Sequence, residues 1–301
     1  MNTDTQAYSP EALKKSRPGP LQSLLNFSCS IKVVDVGANA IDGTAPYAPL
    51  LAAGHAQIIG FEPNLEALAK LNAQKSVHET YLPHAVGDGR RHTLRHCFAP
   101  GMTSLLEPNP AVLSLFAGFA EWGVVMRTEE VDTVRLDDVP ETAALDMLKI
   151  DIQGGELMVF ENAIERLRGG LAVQTEVEFL PMYIGQPLFS EVDRFLRAQG
   201  YLFHRFEPLY TRDLIPLRLS EDVYAGHSQA LWADAIFVRD FTRLDLLDTE
   251  QLLRLAVILH DCYGSYDLVF HLLRDYDRRT GQAYGARFLN AVRPLLNVRK
   301  G

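Results

Sequence analysis

The run Ile31-Lys32-Val33-Val34-Asp35-Val36-Gly37 sets four β-branched residues in seven positions and stops on glycine. It is too short for a helix and too evenly apolar for a strand with one wet face. It therefore reads as a strand buried on both sides that feeds a tight turn. Similar runs return at 57–62, 147–152 and 171–177, with helical stretches following. Doubly buried strands alternating with helices imply parallel strands joined by right-handed crossovers, an α/β doubly wound sheet. Composition adds little, because 47% apolar and 22% charged residues are ordinary for a globular chain.

The connecting stretches carry their own punctuation. Asn64 can cap a helix over 65–73 with Leu65, Leu68 and Leu71 as its apolar stripe. Residues 80–86 read as a third strand, which Pro83 assigns to an irregular or edge position. Gly154-Gly155 leads into a helix carrying Leu157, Phe160, Ile164 and Leu167, and Ser190 begins another with Val192, Phe195 and Leu196. Strands at 201–206 and 235–238 complete the sheet. Residues 97–139 break the rhythm and contain a possible strand pair near 124–136. They read as a segment inserted over the sheet's carboxyl edge, where long insertions serve as lids or binding loops. Beyond Asp240 the pattern is helical: Thr249 can cap a helix carrying Leu252, Leu255, Ala256 and Leu259, and another spans 266–277. The expected organisation is an N-terminal arm (1–20), a catalytic-type domain (21–240) and a helical extension (241–301). The extension packs on the sheet or serves self-association as a homo-oligomer.

Several classes of function are disfavoured. A net charge of −9 without a basic stripe argues against a nucleic-acid partner. Cys29, Cys97 and Cys262 lie far apart, which suggests neither a zinc site nor a disulfide framework and fits a reducing, cytoplasmic setting. No apolar run reaches the ~18 residues of a membrane span, and residues 1–20 lack the apolar core of a secretory signal.

In an open α/β sheet a ligand sits beyond the carboxyl ends of the strands. The residues there are Asp35, Gly37, Asn39, Glu62 and Asp151. Gly37 permits close approach of backbone to ligand, and Glu62 stands where a carboxylate accepts both hydroxyls of a ribose. A dinucleotide also needs a G-x-G-x-x-G turn for its pyrophosphate, whereas counting from Gly37 gives Asn39 and Asp42 in place of glycines, the latter an acid that would repel phosphate. A ligand with adenosine and no phosphate, S-adenosylmethionine, fits better.

Five ordered segments sharpen this reading: Asp35-Val36-Gly37-Ala38-Asn39, Phe61-Glu62-Pro63-Asn64, Ala85-Val86-Gly87-Asp88, Thr103-Ser104-Leu105 and the stretch Leu148 to Glu156 around Asp151. In that order they resemble the FkbM-type methyltransferases, a family with a seven-stranded Rossmann-like sheet of the class I methyltransferase type. The resemblance spans roughly 31–240. It implies that Asp35 to Asn39 hold the methionine end, Glu62 the ribose and Asp88 the adenine, with Asp151 near the transferred methyl. It also implies transfer to a hydroxyl of a sugar, glycan precursor or other small molecule. Two departures stand out: Gln153 occupies a position usually held by Glu, with Gly155 close by, and Ile41 replaces a common glycine.

Transfer to oxygen needs a base, for which Asp151, Glu176, Glu178 and His204 are candidates. Asp151 and Glu176 end neighbouring strands and could share a divalent cation, although nothing in the sequence demands one. Thr103, Ser104, 116–122, 181–183 and 226–229 are candidate acceptor-lining segments. Two other readings stay open: a nicotinamide-dependent oxidoreductase on the same fold class, and a noncatalytic binding protein that keeps the fold.

Overall fold

The computed structural model describes residues 19–39 and 43–296. The N-terminal arm up to residue 18, and Ile41 and Asp42, lie outside the described residues. By internal contacts the described residues divide into two compact units, one of 32–39, 43 and 57–240, the other of 19–31, 44–56 and 241–296. The second unit thus gathers the C-terminal helices with two N-terminal segments that sequence pattern alone assigns to the sheet domain.

The first unit is built on ten strands: β1 (Ile31–Val36), β2 (Ala56–Phe61), β3 (Glu79–Leu82), β4 (Ala85–Val86), β5 (Arg91–Cys97), β6 (Val125–Val134), β7 (Met147–Ile150), β8 (Ala172–Glu178), β9 (Tyr201–Arg212) and β10 (Gln229–Arg239). Seven form one sheet in the order β3-β2-β1-β7-β8-β10-β9. Strands β3, β2, β1, β7 and β8 run parallel, and β10 alone is reversed against both neighbours. The chain order changes direction between β1 and β7, so the crevice opens between Gly37 and Asp151.

The central strands are buried as their sequences predict. Val34, Val36, Leu148, Ile150 and Val173 are at most 1% exposed. Each contributes roughly 1.5–3 kcal/mol by burial, enough to make these strands a rigid base for the loops they carry. Pro83 splits the expected third strand. Residues 79–82 form the sheet's edge, while 85–86 cross to a small second sheet ordered β4-β6-β5. The strand pair of the inserted segment is likewise wider than expected, because β6 pairs not within 124–136 but back onto β5. The last two strands run well past their apolar cores, to Arg212 and from Gln229, as a long antiparallel pair.

Asn64 caps its helix through Oδ1, which accepts from Glu66 N (3.0 Å) and Ala67 N (3.1 Å). Yet no residue of the helix Leu65–Gln74 is buried, and Leu65 stands 71% exposed. The helix expected after Gly155 is two, Glu156–Glu161 and Ile164–Gly169.

In the second unit, helices Thr249–Ile258, Tyr266–Thr280 and Tyr284–Leu296 pack in sequence, with a π-helical segment, Leu259–Tyr263, after the first. The cap of the first helix is Asp248 rather than Thr249: its carboxylate accepts from Gln251 N while Gln251 returns a bond to Asp248 N, a capping box. Among the described residues no helix is long and apolar enough to cross a membrane.

Candidate active site

Backbone ladders extend past the strand ends and align the polar residues along one edge. Gly37 and Ala38 donate to Phe61 O (3.2 and 3.0 Å), Asp151 N to Val36 O (3.1 Å), and Glu62 N to Leu82 O (3.1 Å). Gly37 is obligatory here. Its φ is +81°, and a Cβ would stand 2.1 Å from the carbonyl oxygen of Asp151.

The first half of this edge is charge-compensated. Asp35, 2% exposed, lies opposite Lys149 in the β1–β7 register, with Lys149 Nζ 3.3 Å from Oδ1; the same ammonium donates to Gly37 O (3.2 Å). Burial alone would depress the Lys149 pKa, but the carboxylates of Asp35, Asp151 and Asp234 outweigh it and the net shift is upward. Asp35 thus holds the turn from beneath through Lys149, a partner that sequence reading missed. The signal was present, since a lysine in the middle of Met147-Leu148-Lys149-Ile150, a doubly buried strand, requires a counter-charge.

Glu62, 6% exposed, accepts from Asn64 N (2.7 Å) and from the backbone amide of Asn39. Burial raises its pKa, aided by Asp35, and the two amides only partly offset this. Asp88 turns its carboxylate onto Arg90 N (3.0 Å) and His92 Nε2 (2.7 Å). Slight burial opposes the effect of these partners, but His92 and Arg90 prevail and hold the carboxyl below its usual range.

The second half differs. Carboxylate oxygens of Asp151, Glu156 and Glu176 approach within 4.8 Å of one another. Glu178 follows two residues on along β8. Among the described residues none of these four forms an ion pair with Lys or Arg. The joint is Gln153, whose Nε2 donates to both Asp151 Oδ1 (2.8 Å) and Glu176 Oε2 (2.9 Å). Gln153 sits at φ +60°, a left-handed conformation uncommon outside glycine, and several contacts hold it there. Ser104 Oγ donates to its carbonyl (2.6 Å), and the Tyr183 hydroxyl lies 3.4 Å from its Oε1 and 3.2 Å from Met102 O. Glu156 ties down the same turn, accepting from Ile152 N (2.8 Å).

Burial, then the nearby acids, raises the pKa of the three glutamates. Glu156 is pushed up to about 7. Glu176 lies well above its ordinary value, first through burial and then through Asp151, Glu178 and Glu156. Glu178 is raised in the same way. The Gln153 amide takes one oxygen each of Asp151 and Glu176, two of the three acids that a cation could join.

The remaining candidates are placed elsewhere. His204 lies on β9, across β10 from β8, near the row of Val173 and Gln174 rather than at the Glu176 end. Phe116 and Phe119 are core, packed with Met182, Tyr183 and Leu231 in a second apolar cluster. Thr103 leads into Ser104, and of 181–183 it is Tyr183 that reaches Gln153. His227, within 226–229, pairs with Asp213 (3.1 Å).

Residues 35–203 match the family model described as the methyltransferase FkbM domain. No curated protein matches the chain significantly. Similar solved structures include a precorrin-6y C5,15-methyltransferase from Geobacter metallireducens (13% identity, 80% of this chain and 94% of that one, TM-score 0.35). A 16S rRNA (adenine(1408)-N(1))-methyltransferase from Catenulisporales acidiphilia is also similar (13% identity, 79% and 96%, TM-score 0.32), as is a SAM-dependent methyltransferase from Aquifex aeolicus (11% identity, 77% and 100%, TM-score 0.30). With the family model spanning more than half of its length and a seven-stranded sheet of matching class, the chain belongs to the FkbM family of S-adenosylmethionine-dependent methyltransferases.

Proposed function

We propose that the chain methylates a hydroxyl of a small molecule, sugar or glycan precursor, with Glu176 as the base and Asp151 beside it. The observation that carries this reading is the Asp151–Gln153–Glu176 arrangement: a partly exposed carboxyl of raised basicity, held by an amide at the sheet edge where the methyl donor is expected.

The donor set suits S-adenosylmethionine. Glu62 offers a carboxylate for a ribose diol, and Gly37 to Asn39 offer backbone at close approach. Asp88 belongs to the turn assigned to adenine, where its carboxylate, already engaged by Arg90 and His92, orders the backbone. When bound, the donor supplies a methyl group on a positively charged sulfur. The Asp151 and Glu176 carboxyl groups would lie beside the bound donor, where they would orient the acceptor hydroxyl for transfer. Glu176 would take the proton of the acceptor hydroxyl, whose oxygen would receive the methyl group released from the donor's sulfur. A carboxyl whose basicity is raised by burial and by the neighbouring acids is better matched to that proton than an ordinary glutamate. The acidic net charge weighs against a polynucleotide acceptor.

The test is a transfer assay with methyl-labelled donor and a panel of hydroxylated small molecules set against amines of similar size. Label in the hydroxyl compounds, lost in Glu176→Gln, supports the proposal. Label only in amines would overturn it.

A further inference from the structure

The second sheet leaves one edge open. Strand β6 pairs with β5 along Arg91–Cys97, but with β4 only at Thr133 and Val134, so between Val125 and Asp132 no described strand covers its other side. Residues 125–130 are all exposed, Met126 by 65%.

The direction of the free backbone groups can be derived. Thr128 lies opposite Arg95, and Arg95 exchanges both its N–H and its C=O with Ser104 on the far side of β5 (2.8 and 3.2 Å). Arg95 and Thr128 are therefore a non-hydrogen-bonded pair, and in an antiparallel ladder the N–H and C=O of Thr128 must point away from β5. Two facts agree with that parity. Thr133 N donates toward β5, to Arg90 O, whereas Val134 O accepts from Gly87 on the β4 side. Thr128 and Glu130 thus present donors and acceptors to the open edge.

A bare edge is normally blunted by charge. Here the charges are arranged so that the strand is its own complement. If two copies of the regular stretch Arg127-Thr128-Glu129, which a register shift at Met126 bounds, pair antiparallel about a two-fold axis at Thr128, each Arg127, already paired with Glu129 of its own chain (2.8 Å), also faces Glu129 of the second copy. Thr128 pairs with itself through two backbone bonds. Registers centred on Arg127, Glu129 or Glu130 place like charges on the axis. We propose that the open edge of β6 is a self-association surface on which a second copy of this chain adds its own β6, antiparallel and in register at Thr128.

The C-terminal helices, the other route to self-association, bury Leu252, Leu255, Leu272, Leu273 and Phe288 within the chain itself. A contact limited to one strand falls short of the ~1,200 Å² of a standard interface, so the dimer forms at micromolar concentrations.

Sedimentation velocity on the full chain, from about 1 to 100 μM, tests this. The wild type is expected to pass from monomer to dimer within that range. Thr128→Pro removes only an outward N–H and should raise the midpoint at least about tenfold, as should Arg127→Glu. The exchange Arg127→Glu with Glu129→Arg should restore it. Thermal midpoints and S-adenosylhomocysteine affinity serve as fold controls, and if Thr128→Pro fails them the charge variants decide alone. A chain monomeric throughout, a dimer unmoved by Arg127→Glu, or a loss not rescued by the exchange would overturn the proposal.

Discussion

The two halves of the sheet's carboxyl edge solve the same electrostatic problem in different ways. At β1 and β2 every acid has a donor: Asp35 has Lys149, and Glu62 has the amides of Asn39 and Asn64. At β7 and β8, four acids share the two N–H groups of Gln153 and a few backbone amides, with no cation paired to them among the described residues. Compensated acids hold a shape. In the clustered Glu156, Glu176 and Glu178, burial and mutual repulsion raise the affinity for a proton, as burial also does for Glu62. The first half is therefore suited to binding and the second to proton transfer.

The largest effect should come from the second half. Glu176→Gln keeps the size and the hydrogen-bonding reach of the side chain but cannot take a proton. Turnover should fall by about 10²–10⁴-fold while S-adenosylhomocysteine affinity stays within about threefold, measured by steady-state kinetics and calorimetry. Equal losses in both would erase the distinction between the halves. Next, Gly37→Ala forces a Cβ against the Asp151 carbonyl at positive φ and should cost about 2–4 kcal/mol by denaturant unfolding, with donor affinity reduced in parallel.

A smaller effect appears with pH, and in it Glu62, whose pKa burial also raises, moves with the clustered glutamates. Glu156, Glu176 and Glu178 hold their protons above the ordinary 4.5 in the folded chain, Glu156 up to about 7. Above pH 4.5 the folded state binds more protons than the unfolded, so the associated stability is full below pH 4.5 and is lost as pH rises through each raised value, about 7 for Glu156. The slope is at most about 1.4 kcal/mol per pH unit for each such carboxyl. Asp88, whose pKa is lowered, acts oppositely, and its contribution is complete once pH exceeds about 4. The unliganded chain should therefore melt at a higher temperature at pH 5.5 than at pH 8, and Glu176→Gln should flatten that difference. The least effect is expected at Asn64→Ala, which removes a cap worth about 1 kcal/mol from an unburied helix and is checked by chemical denaturation.

What was legible in the sequence follows the same division. Strands buried on both faces advertise themselves by unbroken β-branched runs, and the acids that end them are visible because the runs stop there. Asp35, Glu62 and Asp151 could thus be aligned without coordinates. Lys149 was passed over because it sits inside such a run, where an apolar reading absorbs it. The bridging role of Gln153 was hidden for a different reason: it depends on a left-handed backbone and on Ser104 and Tyr183, whose separation in the chain no local pattern records. Burial of Phe116 and Phe119 depended likewise on partners past residue 180. The strand expected within 124–136 is there as β6, but its partner β5 escaped, because a run such as Arg91-His92-Thr93-Leu94-Arg95 carries no apolar face to give a period of two.

The central claim is that the β1–β2 half binds adenosine through Glu62. Calorimetric titration of the wild type and Glu62→Ala with S-adenosylmethionine, S-adenosylhomocysteine and NAD tests it directly. Saturable binding of the first two, weakened about 10–100-fold by the substitution, and none of NAD is the result expected for a carboxylate bonded to a ribose diol. Equal affinity in the two proteins, or tighter binding of NAD, would contradict it.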